Sequence, residues 1–310
     1  PMPTASSNHK ITRLLVTGDQ GFVGQHALKC LPAATGLSTL ANRVDICDKP
    51  GLMACLHKFK PDAVLHLAAK SFVPYSFLSP EKTFEVNFLG TLRLLEALAE
   101  TGFTGRFLYA GTGDAYGLVT PEQLPLREEQ ALRPRNPYAV SKAAAEALCY
   151  QWSQTGPFEV IMARPFNHLG AGQAPSFALS DFARQVAEMA AGQRLPVLQV
   201  GNIDVTRDFT DVRDVLRAYE LLLTHGHHGE IYNVCSGIER SVRSMLEHLL
   251  RISGVKVDIT TDPARYRPAD QARVCGSHAK LTQHTGWQPE VPMDETLLNL
   301  YHYWEKKIGE

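Results

Sequence analysis

The stretch at residues 14–24, LLVTGDQGFVG, restricts the fold of this chain more than any other. Apolar residues lead into a tight turn and a helix opens behind it, with Gly18, Gly21 and Gly24 spaced three apart. Gly18 can adopt the positive φ that a tight turn needs. Gly21 allows a ligand to contact the backbone, and Gly24 allows the helix to pack closely on its strand. Because a helix N-terminus offers free N–H groups to a pyrophosphate, the stretch predicts a dinucleotide site, although a purely structural turn fits the same glycines.

Apolar segments that predict strands alternate with amphipathic segments that predict helices. After the glycine turn, strands are expected near residues 37–41, 63–67, 106–110 and 159–163, and helices near residues 22–31, 49–60, 80–100 and 138–154. This alternation indicates an α/β fold with a doubly wound parallel sheet of the Rossmann type. Ligands of such sheets lie at the carboxyl ends of the strands, where Gly18, His66 and Thr112 emerge.

The character of the chain changes near residue 165, beyond which the elements become shorter and the loops longer. Helices are expected near residues 177–191, 212–224, 241–252 and 293–307, and strands near 231–234 and 255–260. We therefore expect a dinucleotide-binding domain over residues 11–165 and a smaller substrate-binding domain over residues 166–310. The two are interleaved, because the second partly completes the sheet and partly caps its ligand edge.

Composition excludes several classes of partner. The 310 residues carry 31 Lys and Arg against 32 Asp and Glu, a formal net charge of −1, which argues against nucleic acid or an anionic membrane as the main partner. No apolar run approaches the ~20 residues of a membrane span. The polar first ten residues lack a signal-peptide core, and the six cysteines form no C-x-x-C pair. Reduced thiols and a cytoplasmic location are expected.

One histidine-rich segment, HGHH at residues 225–228, is a candidate metal tract. It lacks a carboxylate or cysteine partner at ligand spacing. We expect a surface loop there and no metal site in the chain.

Tyr138 and Lys142 open a predicted helix and share one of its faces, because residues four apart are neighbours on a helix surface. A free tyrosine titrates near ~10, too high for efficient proton transfer at neutral pH. An ammonium group one turn away favours the phenolate, so the pair forms a tunable acid–base group. A solvated amphipathic helix face is the alternative interpretation of the same spacing.

Thr112 stands in a small, glycine-rich turn directly after the strand at 106–110. At the edge of the sheet its hydroxyl can polarise a carbonyl group. A threonine with only a turn-forming role fits the same position.

Further motifs follow along the chain. They read H-L-A-A at residues 66–69, N-x-x-G-T-x-x-L-L-E-A at 87–97, R-P-F-N-H-x-G-x-G-Q at 164–173 and R-D-F-x-D-V-x-D at 207–214. With the glycine turn and the Thr–Tyr–Lys set, they make the chain resemble the extended short-chain dehydrogenases/reductases that act on nucleotide sugars. The resemblance runs from about residue 13 to residue 305.

This resemblance implies cofactor contacts from the glycine turn, from loops after the strands and from the catalytic helix: Gly18, Gly21, Phe22, Val23, Gly24, Asp45, Ile46, Leu67, Ala68, Ala69, Tyr138 and Lys142. Asp45 and Ile46 would lie by the adenine. An acid about 20 residues past the turn would select NAD, but Asn42 and Arg43 occupy that neighbourhood. Arg43 could meet a 2′-phosphate, so NADP is the expected cofactor and NAD the alternative.

The resemblance also assigns roles around the substrate. Thr112, Tyr138 and Lys142 would be catalytic, and Asn87 would be the structural asparagine of the family's catalytic tetrad. Substrate contacts would come from Thr112, Asp114, Asn167, Arg207, Arg267 and Asp270. Among these, Arg207 would clamp the diphosphate, and Arg267 with Asp270 would hold the ribose or phosphate of the nucleotide.

Within this family the chain looks most like the reductases of GDP-4-keto-6-deoxy-D-mannose, which use NAD(P)H to form GDP-D-rhamnose. GDP-mannose 4,6-dehydratases and nucleotide-sugar 4-epimerases remain alternatives, and a non-catalytic NAD(P)-binding regulator is a further one. Gly113 stands where nucleotide-glucose dehydratases add an aspartate acid, and Asp114 stands where 4,6-dehydratases carry a glutamate base. The first has no functional group and the second is one methylene shorter than Glu, so the turn favours reduction over elimination. A homodimer through the helices starting near residues 80 and 138 is typical of the family.

Overall fold

The computed structural model describes residues 9–40, 44–266 and 271–310. Its strands are β1 (Leu14–Thr17), β2 (Ala34–Gly36), β3 (Ala63–His66), β4 (Arg106–Ala110), β5 (Glu159–Pro165), β6 (Asn167–Leu169), β7 (Val197–Val200), β8 (Thr206–Asp211), β9 (Ile231–Val234), β10 (Glu239–Ser241) and β11 (Asp258–Thr261). The main sheet has the order β2-β1-β3-β4-β5-β9, with every neighbouring pair parallel. The predicted doubly wound parallel sheet is confirmed.

The helices are α1 (Phe22–Cys30), α2 (Leu37–Leu40), α3 (Lys49–Phe59), α4 (Val73–Leu78), α5 (Pro80–Phe84), α6 (Gly90–Glu100), α7 (Pro137–Thr155), α8 (Ala178–Ala190), α9 (Val212–His225), α10 (Val242–Ser253), α11 (Ala279–Thr285) and α12 (Met293–Ile308). The helix expected over residues 80–100 consists of α5, a π-helical turn (Glu85–Leu89) and α6. Such turns often mark functional sites.

The two faces of the sheet carry separate apolar layers, because successive side chains of a strand point to opposite faces. In β1, Leu14 and Val16 join the layer that includes α9 residues such as Leu216. Leu15 joins the opposite layer, which includes Leu94 of α6. Helices on both faces explain why the strands read as continuous apolar runs.

Local capping fixes where α7 begins. Asn136 is its N-cap and accepts a hydrogen bond from the N–H of Ala139 at 2.7 Å, and Pro137 occupies the first helical position. Tyr138 therefore lies in the first turn of α7, at the carboxyl edge of the sheet.

The prediction of a strand at residues 37–41 was wrong. The strand ends at Gly36, and Leu37–Leu40 is helical. A side chain at Gly36 would overlap the Asp19 carboxylate, which also accepts hydrogen bonds from the backbone N–H and the hydroxyl of Ser38. The docked carboxylate of the glycine turn ends the strand early, and a local pattern does not encode this contact.

A smaller region follows β5, with the sheets β10-β8-β6 and β11-β7 and an apolar core shared by α8, α10 and α12. The short strands β6, β7, β8 and β10 and the helices α4 and α11 were not predicted. Strand β9 returns to the main sheet beside β5. The domain boundary near residue 165 stays a prediction. Across the three described ranges, no helix is both long and apolar enough to cross a bilayer.

Candidate active site

A cavity of about 380 Å³ lies at the carboxyl ends of β1, β4 and β5. It brings together most of the residues that the sequence nominated for cofactor binding and catalysis: Gly18, Gly21, Phe22, Val23, Gly24, Leu67, Ala69, Thr112, Asp114, Tyr138, Lys142 and Asn167. The cavity sits where a doubly wound sheet is expected to bind its ligand.

The glycine turn forms one wall of this cavity and is built for close approach. Gly18 has φ +68°, and a Cβ there would lie 2.8 Å from the backbone N of Ala68. A side chain at Gly24 would overlap the carbonyl oxygen of Gly18. Gly21 begins α1 without a side-chain cap, so N–H groups of the first turn are available to a ligand. These features fit the pyrophosphate of a dinucleotide.

Another wall carries the predicted acid–base residues Thr112, Tyr138 and Lys142. Thr112 is buried, and its hydroxyl accepts a hydrogen bond from the N–H of Asp114 at 3.1 Å. Burial raises the pKa of the Tyr138 phenol, as does the charge of Asp114, while a hydrogen bond with Thr112 lowers it. The phenol is therefore protonated at neutral pH and can donate a proton.

Lys142 lies one turn further along α7 and is buried. Its Nζ donates to the carbonyl oxygen of Ala110 at 2.6 Å and lies 4.8 Å from the centre of the Tyr109 ring. Burial lowers the pKa of Lys142 to about 8. The ammonium is held in a weakly solvated site one helical turn after Tyr138, where its charge acts strongly on its neighbours.

Asn87 sits in the π-helical turn and is buried. Its Nδ2 donates to the carbonyl oxygen of Lys70 at 3.1 Å and to the Ser141 hydroxyl at 2.9 Å, and its Oδ1 accepts the Lys70 N–H at 2.7 Å. The Ser141 hydroxyl donates to the carbonyl oxygen of Tyr138 at 2.6 Å. Asn87 thus supports the first turn of α7 from behind.

A second cavity, of about 230 Å³, shares Asp114, Phe166 and Asn167 with the first. Among the described residues, Arg135 and Arg207 line it. Paired arginines in a cleft favour an anionic ligand such as a diphosphate.

Arg207 is fixed in the lining of the second cavity by hydrogen bonds to the backbone. Arg207 Nη1 donates to the carbonyl oxygens of Thr206 and Gln271 at 2.6 and 2.7 Å. Enclosure raises the pKa of the Asp114 carboxyl, and the charge of Arg207 opposes this shift. The two cavities meet at Asp114.

Some nominated residues lie elsewhere. Asp45 accepts a hydrogen bond from the N–H of Cys47 at 2.8 Å, and Ile46 packs in the core against Gly90; neither lines the cavity. Their place by the adenine stays a prediction. Ala68 packs behind Gly18 rather than on the cavity wall. Arg43, Arg267 and Asp270 lie outside the described residues.

The cavities also contain residues that sequence reasoning missed. Phe166 and Gln173 line the first cavity and belong to the motif at 164–173, from which Asn167 was chosen as a substrate contact. Tyr219 and Arg135 also line the cavities. Tyr219 carries no local signal, because α9 reaches the site only through the fold. Arg135 stands directly before the catalytic helix, and that position could have nominated it.

The histidine-rich segment takes part in packing. His228 Nδ1 accepts the backbone N–H of Val160 at 2.9 Å, and His227 stacks on His284 with ring centres 3.8 Å apart. In the part of the chain that the structure describes, no group of three or more His, Cys, Asp or Glu side chains is arranged to hold a metal ion.

Comparison with known proteins identifies the family. The sequence profile described as GDP-mannose 4,6 dehydratase matches residues 38–300. The chain belongs to this family. The family lies within the extended short-chain dehydrogenases/reductases, so the resemblance that the motifs indicated and the Rossmann-type fold are confirmed.

Individual members of the family differ in their similarity to the chain. The GDP-6-deoxy-D-mannose reductase of Pseudomonas aeruginosa is 48% identical over 301 residues, covering 96% of this chain and 99% of that protein. A solved structure described as RMD from Pseudomonas aeruginosa complexed with NADPH has a TM-score of 0.91 and 47% identity, covering 96% of this chain and 99% of its own. A GDP-mannose 4,6-dehydratase of Vibrio cholerae is 30% identical over 295 residues, covering 85% of this chain and 78% of that protein.

Proposed function

We propose that this protein is an NADPH-dependent reductase that converts GDP-4-keto-6-deoxy-D-mannose to GDP-D-rhamnose. One observation carries the proposal: Thr112, Tyr138 and Lys142 line the cavity of the glycine turn, and this cavity meets the cavity lined by Arg135 and Arg207 at Asp114. The 48% identity to a protein named GDP-6-deoxy-D-mannose reductase supports it.

The residues divide the work of a ketone reduction. When bound, NADPH supplies the hydride to the C4 carbonyl carbon. Tyr138 donates its phenolic proton to the oxygen as it becomes an alcohol, and the Thr112 hydroxyl hydrogen-bonds to the same oxygen. Lys142 stabilises the phenolate that remains. Arg207 and Arg135 bind the diphosphate and so hold the C4 carbonyl group of the sugar near Tyr138 and Thr112.

The turn between the cavities, at Gly113 and Asp114, does not suit the dehydratase reaction. A side-chain Cβ at Gly113 would lie 2.9 Å from the ring of Phe166, so this position has no room for the acid that nucleotide-glucose dehydratases carry. Asp114 is shorter than the glutamate base of the dehydratases. Elimination needs a base positioned at C5 of the sugar, whereas reduction of the C4 carbonyl group needs no such base.

NADPH is the proposed cofactor, and NADH the alternative. A related structure is described as complexed with NADPH. Arg43 is the proposed partner of the 2′-phosphate. Comparing kcat/KM for the two cofactors tests this choice. Arg43→Ala is expected to lower kcat/KM for NADPH and to leave kcat/KM for NADH unchanged. Equal losses for both cofactors would contradict the assignment.

The activity is tested by mixing the protein with NADPH and GDP-4-keto-6-deoxy-D-mannose. We expect the near-ultraviolet absorbance of NADPH to fall and GDP-D-rhamnose to form. GDP-mannose itself should give no reaction, whereas conversion of GDP-mannose to a 4-keto sugar would indicate a dehydratase. Interconversion of sugar epimers without net use of NADPH would indicate an epimerase.

We also propose a homodimer in which α7 and the α4–α5 segment face the partner. These helices pack against one another, and their outer surfaces carry large exposed apolar side chains. The set is Phe77, Leu78, Phe84, Val140 and Tyr150. Leu78 is 85% exposed and follows the exposed Phe77 in the chain, and exposed apolar patches often mark interaction surfaces.

Light scattering after size-exclusion chromatography tests the dimer. Leu78→Glu is expected to give a monomer. Leu195→Glu, at a loop residue that is 79% exposed, is the matched control and should leave the dimer intact. A wild-type protein that elutes as a monomer would overturn the proposal.

The cytoplasm is the proposed location, because all six cysteines are free. Cell fractionation with an antibody to the protein tests this location. Recovery of the protein with the periplasmic or membrane fraction would contradict it.

A further inference from the structure

Behind the first cavity, the imidazole of His66 lies between two threonine hydroxyls. Its Nδ1 is 2.6 Å from Thr17 Oγ1, and its Nε2 is 2.9 Å from Thr91 Oγ1. All three side chains are buried, and none of them lines the cavity. Any effect of His66 on the reaction must therefore pass through its neighbours.

The direction of each hydrogen bond follows from counting protons. Thr17 Oγ1 accepts the backbone N–H groups of residues 67 and 68 at 3.0 and 3.1 Å. Its own proton is then directed to His66 Nδ1. On the other side, Thr91 Oγ1 donates to the carbonyl oxygen of Asn87 at 2.8 Å, so it accepts the proton of His66 Nε2. The network assigns the neutral Nε2–H tautomer.

The surroundings keep this imidazole neutral. Burial, with the nearby charge of Lys142, lowers the pKa of His66 to about 3. The ring packs against Phe107 and Tyr109, with ring centres 5.8 and 6.1 Å away. A second ring proton would also place two donors against each other at Nδ1. His66 is thus a fixed bridge and not an acid, a base or a pH switch.

The two ends of the bridge reach the glycine turn and the first turn of α7, which form two walls of the cavity. At one end, Thr17 precedes Gly18, and a Cβ on Gly18 would lie 2.8 to 2.9 Å from backbone atoms of residues 67 and 68. At the other end, Asn87 donates to Ser141, which in turn donates to the carbonyl oxygen of Tyr138. Hydrogen bonds, linked through the covalent frame of Asn87, therefore join Thr17 at the start of the glycine turn to the first turn of α7.

We propose that His66 is a positioning residue that sets the placement of Tyr138 relative to the glycine turn. The inference rests on the proposed reductase function, because hydride and proton must reach the same carbonyl group from these two walls. A shift of either wall separates the two reacting groups, and small misplacements in catalysis are costly. The rigid imidazole ring, with one donor and one acceptor, fixes the distance between Thr17 on one side and Thr91 on the other.

Thr91→Val is the first test, because valine has the same shape and removes only the hydroxyl. We expect kcat to fall about 10- to 100-fold, the cost typical of a misplaced catalytic group. The NADPH dissociation constant, measured by fluorescence, should stay unchanged because the glycine turn is intact. Thr83→Val is the matched control: Thr83 is also buried, and its hydroxyl makes the same type of bond to the carbonyl oxygen four residues earlier, at 3.0 Å. It should keep the wild-type kcat.

Two substitutions at His66 provide the rescue test. His66→Gln keeps one donor and one acceptor, and His66→Leu keeps neither. We expect the glutamine variant to recover much of the kcat that the leucine variant loses, at equal thermal stability. If the variants lose only stability, with kcat per folded molecule unchanged, His66 has a structural role and the proposal is wrong.

Nitrogen-15 NMR of histidine-labelled protein gives a readout that needs no activity. His66 should stay in the neutral Nε2–H form down to about pH 5, where free histidine is protonated. The Nδ1–H tautomer, or an ordinary titration, would overturn the proposal. A wild-type protein without turnover would refute the reductase function, and the NMR result would still decide the hydrogen-bond assignment.

Discussion

The guanidinium of Arg164 forms a two-point ion pair with the carboxylate of Glu146, with N···O distances of 2.8 and 2.7 Å. Both side chains are buried. Glu146 lies on α7 one turn after Lys142, and Arg164 Nη1 also donates to the Tyr116 hydroxyl at 2.9 Å. Tyr116 belongs to the turn that carries Asp114. The pair therefore ties the catalytic helix to the turn between the two cavities.

Glu146→Gln should destabilise the protein strongly, because it leaves a buried guanidinium without its counter-charge. We expect the free energy of unfolding in urea to fall by about 3–5 kcal/mol. The control is Asp204→Asn, which breaks the exposed pair with Arg243 at 2.7 Å and should cost at most about 1 kcal/mol. Equal effects of the two substitutions would contradict the account of the buried pair.

The lowered pKa of Lys142 predicts a specific dependence of the free energy of unfolding on pH. The folded protein releases this proton near pH 8, whereas the unfolded chain holds it to about 10.4. Between these values the unfolded chain binds more protons, so the wild type gains stability as pH rises. Relative to Lys142→Met, the gain should be about 3 kcal/mol across this window.

Urea unfolding at several pH values measures this difference. The half-exposed Lys307 supplies the control, since Lys307→Met should follow the wild type at every pH. If the free energy of unfolding depends on pH in the same way for the wild type and for Lys142→Met, burial does not lower the pKa of Lys142.

Tyr138→Phe should remove the proton donor while keeping the shape of the site. We expect kcat to fall about 10²- to 10⁴-fold, the usual contribution of a positioned acid. The dissociation constant of NADPH should be unchanged, because the glycine turn supplies its main contacts. Steady-state kinetics and cofactor fluorescence measure the two quantities. A variant that keeps wild-type turnover would remove Tyr138 from the mechanism.

Arg207→Gln should act on substrate binding. The loss of a charge-assisted hydrogen bond to a diphosphate costs about 1.5–3 kcal/mol, so KM for the GDP-sugar should rise about 10- to 100-fold. Cofactor affinity should not change. Arg194→Gln is the control, since Arg194 pairs with Glu188 at 2.8 Å outside both cavities. An unchanged KM for Arg207→Gln would place the diphosphate elsewhere.

Much of the fold and of the candidate site was accessible from the sequence, because both depend on local patterns. Apolar runs marked the central strands of the main sheet, and helical spacing placed Tyr138 and Lys142 on one face. The glycine turn needed only Gly18, Gly21 and Gly24. These features are fixed within a few residues of chain, so their periodicity predicts them.

The remainder depends on contacts between distant segments. Strand β2 ends early because Asp19 docks against Gly36, 17 positions along the chain. The second cavity forms where Arg207 meets Gln271, and Asp208 accepts the N–H groups of residues 236, 237 and 276 at 2.8, 3.0 and 3.1 Å. Short strands such as β6 and β8 acquire their partners only in the folded chain, so no local pattern announces them.

The most direct test of the central claim follows the hydride itself. NADPH that carries deuterium at the transferable C4 position is mixed with GDP-4-keto-6-deoxy-D-mannose, and the product sugar is examined by NMR. The account predicts one GDP-D-rhamnose for each NADPH consumed, with deuterium at C4 of the sugar. Product without deuterium at C4, or NADPH that is not consumed, would contradict it.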